Sequence, residues 1–321
     1  MKFKHTFHVF VDNFSTTYKL LIYRLIVIVL TAGLCCAVII PTLNNILSTA
    51  QYEALNNSFS ELWADIVSLN VENLHDRSEA LGEAFNSFKH LLSDKSWLVG
   101  VAAACLAVVY LINRFFIGIG NYVTGALVND KMALHANSSF TMTLVKNLKN
   151  AVLYSLIYAP IACVYDFICL LIIWAVISVG LKSVTAVLIK IFLVAVLFVV
   201  FSTIKFTFTA DWLPSLIHAK MNNRKAIVYT FSRKGKNTAN VFSNALVTKL
   251  IVIALNVAAL FFTLGAGLLL TLPGAGLIQI CFGFVNYFDA NRLKFFTDEY
   301  TVVGPKKEAP VSREEFFKGD E

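Results

Sequence analysis

The amino-acid sequence predicts an all-α, polytopic membrane protein with six transmembrane helices arranged as three hairpins. Of its 321 residues, 57% are hydrophobic and 15% are charged, whereas a soluble domain carries about 25% charged residues. The hydrophobic residues concentrate in six runs, and roughly 20 such residues cross a hydrocarbon core of about 30 Å. Basic residues accumulate on one side of these runs, as they do in membrane proteins.

Six spans are predicted from these runs. The first is longer than the 7–15 residues of a signal-peptide core, so we expect it to remain as a membrane anchor. A tight turn at Leu272, Pro273 and Gly274 is expected to join the last two spans. The predicted spans are 20–46, 97–119, 151–179, 184–208, 246–270 and 272–291.

The distribution of basic residues predicts the orientation of the chain. Lys and Arg favour the cytoplasmic side of spans, so the bias predicts that both termini lie in the cytoplasm. The net charge of +7 then reflects topology, and nucleic acid is not an expected partner. Of the 27 basic residues, those that do not fall on the predicted cytoplasmic side are Arg77, Lys89, Lys95, Lys182 and Lys190.

Residues 1–19 are predicted to form an amphipathic helix at the cytoplasmic membrane interface. Four phenylalanines recur at spacings of 4, 3 and 4, which places them on one helix face. A short helix of this kind that leads into a span lies in the plane of the interface. The predicted lipid contacts of this helix are Phe3, Phe7, Phe10 and Phe14.

Residues 48–95 are the one large segment predicted outside the cytoplasm, and they are acidic. Apolar residues recur at 3-4-3-4-3 spacing from Tyr52 to Leu69, and again from Leu81 to Leu92. Apolar positions at this spacing with polar flanks predict two helices packed as an antiparallel hairpin. The hairpin either extends the first two spans structurally or presents a docking surface to an extracytoplasmic protein.

Two further amphipathic segments, 120–150 and 211–243, are predicted on the cytoplasmic side. Each cation near an anionic membrane surface contributes about 1 kcal/mol to binding, so the basic run in the second segment predicts contact with anionic lipid. Gly235 is the expected end of its helix. The polar tail 297–321 is predicted to be disordered. The predicted lipid-contacting cations are Arg224, Lys225, Arg233, Lys234 and Lys236.

Asp166 and Lys190 lie inside the third and fourth predicted spans. Ionisable side chains within a membrane are costly and are functional candidates by default. Counted from the turn near Leu181 at 1.5 Å per residue, their depths differ by roughly 10 Å. A direct ion pair therefore requires the helices to slide or Lys190 to extend toward the outer face. Structural pairing and a transport or proton-relay role both remain open.

The end of the sixth span carries a predicted polar cluster at the cytoplasmic interface. Its members are Asn286, Asp289 and Arg292. Because Asp289 and Arg292 are three residues apart, they can pair on one helix face. We expect the cluster to anchor the helix end at the interface through local tertiary hydrogen bonds.

Motifs for catalysis or cofactor binding are absent from the sequence. "GIGNYVTG" has the wrong spacing for a dinucleotide fingerprint, and "GAGLLLTLPGAG" lacks the Lys-Ser/Thr of a phosphate-binding loop. The six cysteines fall inside predicted spans without zinc-ligand spacing. These observations predict a protein that is not an enzyme and has no metal or cofactor.

A block near the end of the chain has a distinctive order. "NNRKAIVYTFSRKGKNTANVF" precedes two apolar spans joined by "LTLPGAGL", and "NYFDANR" follows. This block, 206–298, resembles the membrane domain of glycerophosphodiester phosphodiesterases and its stand-alone bacterial relatives of unknown function. The resemblance implies a bacterial inner-membrane protein. The catalytic barrel of those enzymes has no counterpart here, so the resemblance implies no hydrolase activity. The matching positions are Ala226, Ser232, Gly235, Lys236, Asn237, Tyr287, Phe288 and Asp289.

Two functional hypotheses follow from these features. The first is a non-enzymatic membrane protein that organises the membrane or binds a partner, with interfacial helices that contact anionic lipid. Its partners would be membrane lipids, an extracytoplasmic protein bound through 48–95, or further copies of the chain in a homo-oligomer. The alternative is a transporter or channel that uses Asp166 and Lys190.

Overall fold

The computed structural model describes residues 2–68, 74–178, 184–232, 238–304 and 311–312. Helices dominate this part of the chain, which confirms the all-α prediction. The elements are α1 Lys2–Asp12, α2 Ser15–Leu47, α3 Ala50–Val67, α4 Leu74–Asp94, α5 Ser96–Leu134, α6 Phe140–Ser178, α7 Val184–Thr209, α8 Trp212–Ile217, α9 Asn223–Ser232, α10 Thr238–Phe262, α11 Leu268–Ala290, β1 Phe295–Phe296, β2 Thr301–Val303 and β3 Val311–Ser312.

Six helical stretches are long and apolar enough to cross a membrane. They are α2, α5, α6, a stretch from Ile189 to Ile217 that includes most of α7 and all of α8, α10 and α11. The chain is therefore an all-α, multi-pass integral membrane protein. Helix α6 packs against α7, and α10 packs against α11.

The predicted amphipathic segments differ from the observed helices. Segment 120–150 is not a separate helix, because α5 continues to Leu134 and α6 begins at Phe140. Residues just beyond the predicted end of span two, such as Val123 and Val128, are fully buried, so packing extends the helix. Segment 211–243 is divided among α8, α9 and the start of α10.

The chain divides into two compact units. The smaller unit, Ile28–Asn113, contains α3 and α4, which pack against each other as an antiparallel hairpin. Arg77, near the start of α4, forms ion pairs with Glu61 and Asp65 near the end of α3. At the opposite end of the hairpin, the Tyr52 and Phe88 rings lie 6.3 Å apart.

The larger unit, Met1–Val27 and Arg114–Glu321, is built around α11. Every residue of α11 from Cys281 to Phe288 is buried. Helix α1 packs across α11, and α8 and α9 contribute Trp212 and Ala226 to the same core. This core joins the end of α5, the start of α6 and the end of α11. We call this region the basic end of the unit, because exposed cations surround it.

The connection between α10 and α11 is not the predicted turn at Leu272–Gly274. It lies at 263–267, where Gly265 has a φ of 89° that favours glycine, and Thr263 Oγ1 accepts a hydrogen bond from Gly267 N at 2.6 Å. Pro273 lies inside α11. Gly276 serves packing, because a side chain there would meet the Arg24 guanidinium.

The first part of the tail is ordered, so the prediction of disorder over 297–304 is wrong. Strand β2 pairs antiparallel with β1, with Phe296 opposite Val302, and β3 pairs with β2. Val302 is fully buried, and the Phe295 ring packs edge-on against Phe288 at 5.7 Å. Apolar anchoring on the end of α11 explains the order. Residues 305–310 and 313–321 lie outside the described residues.

A substitution at Gly283 tests the close packing around α11. A Cβ atom at this position would lie 2.9 Å from the Ala210 carbonyl oxygen. Relieving this contact would require the backbone to move, which costs free energy. Gly283→Ala should lower the free energy of unfolding by about 1–3 kcal/mol, measured as a lower Tm in detergent. Gly100→Ala is the matched control, because a Cβ atom there meets open space. Equal Tm values for the two variants would contradict the packing role.

Candidate functional site

Asp166 is the centre of a charge cluster that joins three helices. Its Oδ1 and Oδ2 atoms on α6 accept hydrogen bonds from Lys205 Nζ on α7 at 2.7 and 2.9 Å. Arg114 Nη2 on α5 lies 2.8 Å from Oδ2. The three side chains are 17–27% exposed. Charge-assisted hydrogen bonds of this length are about twice as strong as neutral ones, so the carboxylate ties α5, α6 and α7 together.

The structure does not bring Asp166 and Lys190 together, so the direct ion pair that the sequence left open does not form. Lys190 Nζ donates to the Ile177 carbonyl oxygen at 3.0 Å. Lys190 and Lys205 lie on the same helix, 15 residues or about 22 Å apart, and Lys205 holds Asp166.

The register of α6 and α7 explains why Asp166 pairs with Lys205 and not with Lys190. Ile177 is level with Lys190, and Tyr165 OH donates to the Phe201 carbonyl oxygen at 2.7 Å. Asp166 is therefore level with residues near Phe201, and the Lys205 side chain extends back by about one helical turn to reach the Asp166 carboxylate. Sequence reasoning assigned Arg114 and Lys205 to the ends of spans, and their place within apolar runs was the missed signal.

A second buried lysine lies beside the cluster. Lys249 on α10 donates to Ser202 Oγ on α7, and its Nζ lies 5.9 Å from the centre of the Phe206 ring. It forms no ion pair with a carboxylate within the part of the chain that the structure describes. Lys249 was not predicted as a site residue, because its charge was attributed to the cytoplasmic end of a span.

At the end of α11, Asp289 and Arg292 do not pair on one helix face. The helix ends at Ala290, and Arg292 is exposed with a left-handed φ of 57°. Its N–H bonds to the Asp289 carbonyl oxygen at 3.2 Å, and Leu293 N bonds to Phe288 O at 2.9 Å. These bonds form a Schellman motif, so Asp289 and Arg292 do not share a helix face. Asn286 is buried and donates to Asp211 Oδ1 at 3.2 Å.

Helix α1 is rotated relative to the predicted phenylalanine stripe. Its buried face consists of Thr6, Val9 and Asn13, whereas Phe7 and Val11 remain exposed. The other three predicted contacts, Phe3, Phe10 and Phe14, are half-buried. Helix α1 therefore presents an apolar edge to its surroundings, and its contact with lipid stays a prediction.

Helix α9 combines cations and apolar side chains on one exposed surface. Arg224, Val228 and Phe231 follow i, i+4, i+7 spacing, and Lys225 lies beside them. Val228 is 66% and Phe231 60% exposed, while Thr230 is buried on the opposite side. We call Arg224, Lys225, Val228 and Phe231 the α9 face. Arg233, Lys234, Gly235 and Lys236 lie outside the described residues.

The start of α6 has a similar surface. Met142 and Val145 are 70% and 71% exposed, and Lys146 and Lys149 lie on the same side of the helix at i+4 and i+7 from Met142. We call these four residues the α6 face. Thr143 is buried, which turns the α6 face away from the core.

No family model, curated protein or solved structure matches this chain. The resemblance over 206–298 stays a prediction, as do the absence of enzymatic activity, the absence of nucleic-acid binding and the homo-oligomer. Within the described ranges, no group of three or more His, Cys, Asp or Glu side chains could hold a metal ion. Fold and site together define a multi-pass membrane protein with an internal charge cluster and two exposed faces that join cations to apolar side chains.

Asp166→Asn tests the role of the charge cluster. The substitution leaves Arg114 and Lys205 without their shared carboxylate, which should cost about 3 kcal/mol of stability and lower the Tm in detergent. The double variant Asp166→Asn/Lys205→Met should recover part of the loss, because one cation is removed with its partner. Asp76→Asn, on the exposed surface of α4, is the control. An Asp166→Asn variant as stable as that control would contradict the structural role.

His218 predicts an acid-sensitive stability. Burial lowers the pKa of His218 below its ordinary value of 6.5, and its Nδ1 lies 3.0 Å from Asn129 Oδ1. The folded state therefore favours the neutral imidazole, and its contribution is present above pH 6.5 and lost as the pH falls through the lowered pKa. His218→Asn should reduce the fall in Tm below pH 6.5, whereas exposed His90→Asn should not. Parallel Tm curves for all three proteins would contradict this role.

Proposed function

We propose that this protein is a non-enzymatic membrane-organising protein whose surface helices hold anionic lipid. The main observation that supports this proposal is the α9 face. A helix with cations beside exposed apolar side chains lies in a membrane interface, with its apolar side toward the acyl chains. Phe231 of this face stacks with Phe208 at 6.2 Å, and Phe208 lies at the end of the α7 span. The face therefore lies where a span leaves the hydrocarbon.

The scarcity of acids near these faces supports the same function. Between Lys131 and Phe288 the chain contains two acids, Asp166 and Asp211. Asp166 already pairs with two cations, and Asp211 accepts a hydrogen bond from Asn286. The cations of the α6 and α9 faces are thus available to lipid phosphates. The positive-inside rule favours the cytoplasmic leaflet of a bacterial inner membrane, with both termini in the cytoplasm.

The α3–α4 hairpin supports the partner-binding part of the proposal. It contains an apolar groove of about 550 Å³. Phe59 and Phe85 line this groove and are both exposed. A protein partner outside the cytoplasm would cover these rings.

The geometry does not favour the transporter alternative. Its two candidate residues lie far apart along the spans, and the Asp166 carboxylate is occupied by Lys205 and Arg114. A carboxylate held by two cations is better suited to joining helices than to passing a proton. The lipid-binding role instead uses side chains that are exposed.

Lys225→Gln tests the α9 face. Loss of one cation near an anionic surface removes about 1 kcal/mol, so binding of phosphatidylglycerol should weaken about fivefold while binding of phosphatidylcholine is unchanged. The measurement is native mass spectrometry of the purified full chain titrated with each lipid. Lys89→Gln, an exposed lysine on α4, removes the same charge elsewhere. The face has no lipid role if both variants bind phosphatidylglycerol like the unaltered chain.

A further inference from the structure

A cleft of about 450 Å³ opens between α5, α6 and the connection from α8 to α9. One wall is apolar and includes Leu153 and Ile217. The other wall is polar and carries four amides, one phenol and one ammonium group. Its residues are Tyr122, Asn147, Asn150, Lys220, Asn222 and Asn223.

The cleft lies between the two basic faces. Asn147 and Asn150 alternate with Lys146 and Lys149 of the α6 face in the sequence, and Asn222 and Asn223 directly precede Arg224 of the α9 face. Cations of both faces therefore adjoin residues of the polar wall.

The polar wall suits a ligand that carries hydroxyl groups. An amide both donates and accepts hydrogen bonds, as a hydroxyl does, and no carboxylate is among the residues that line the cleft. Asn223 Oδ1 is buried, and among the described residues no group donates a hydrogen bond to it. Such an acceptor costs free energy unless a donor reaches it, and a ligand hydroxyl would supply that donor.

The same wall suits a phosphate. The first helical hydrogen bond of α9 runs from Ala226 N to Asn222 O at 2.9 Å. The N–H groups that precede Ala226 at the helix start therefore have no acceptor within the helix. The positive end of the helix dipole adds to the Lys220 charge at this position. Asn222 and Asn223 bring this helix start into the cleft wall.

The backbone of Lys220 adopts a strained conformation in the wall of the cleft. Its φ is 50°, in the left-handed region that glycine adopts freely and other residues adopt at a cost. Met221 N bonds to Ser215 O at 3.2 Å, which holds this conformation. Strain of this kind clusters at binding sites, and here it holds a cation in the cleft wall.

We propose that this cleft binds a phosphate-linked polyol, carried by an anionic phospholipid such as phosphatidylglycerol. Lys220 and the start of α9 receive the phosphate, and Asn150 and Asn223 bind the polyol hydroxyls. The acyl chains follow Leu153 and Ile217. This inference rests on the proposed lipid-binding function and adds the headgroup that is preferred.

The test compares phosphatidylglycerol with phosphatidic acid of the same acyl chains, because phosphatidic acid has the phosphate without the polyol. Native mass spectrometry of the full chain should show tighter binding of phosphatidylglycerol. Asn150→Leu should weaken phosphatidylglycerol about tenfold through the lost hydrogen bonds and leave phosphatidic acid unchanged. Asn223→Leu is a second variant of the same wall, and Asn86→Leu, exposed on α4, is the matched control.

Lys220→Gly separates the ligand role from a structural one. Glycine tolerates the left-handed backbone, so the lipid-free variant should have a higher Tm. It should nevertheless bind both phosphatidylglycerol and phosphatidic acid more weakly, since both carry the phosphate. A variant that is more stable and binds both lipids unchanged would overturn the assignment of Lys220.

Three other outcomes decide the proposal. Equal affinity of the unaltered chain for the two lipids overturns it, as does unchanged lipid preference in both Asn150→Leu and Asn223→Leu. If Lys225→Gln still weakens anionic lipid in that case, the proposed function stands without the cleft. Displacement of phosphatidylglycerol by soluble glycerol 3-phosphate would support the cleft chemistry and assign its ligand to the aqueous phase.

Discussion

A helix that is apolar around its whole circumference has to be covered on every side, and α11 is such a helix. Most of the larger unit contributes to this cover: α1 crosses it, α10 lies alongside, α8 packs near its end and β1 closes that end. Half of the most apolar stretch of α11 is buried inside the protein, whereas at most 22% of that stretch is buried in each of the other five spans. Lipid must cover the exposed surfaces of those spans.

Charge in the larger unit is divided into two kinds. Inside the bundle, Asp166 neutralises cations from two helices and so fixes the register of α6 and α7. At the basic end, Lys146, Lys149, Arg224 and Lys225 are exposed in a stretch of chain with few acids. The same scarcity of acids therefore makes Asp166 structurally important and leaves the surface cations to an external anion.

The sequence predicted the spans because a long apolar run has few alternatives to crossing a membrane. It failed where tertiary packing decides. Pro273 and Gly274 suggested a turn, but packing made them part of α11, and the turn needed Gly265 instead. The partners of Asp166 depend on helix register, which connection length does not determine. The cleft was not predicted, because Asn150 and Asn223 meet only through the fold; a run of amides beside lysines was the available signal.

The central place of α11 has a consequence for biosynthesis. Helix α1 leaves the ribosome before its partner α11, and the other five described spans are synthesised between them. At synthesis rates of about 5–20 residues per second, α1 waits about 15–60 s for this partner. During that time, Val9 and the rest of its buried face need temporary cover from the bilayer or an insertion factor. The larger unit can thus complete its folding only after α11 has entered the membrane.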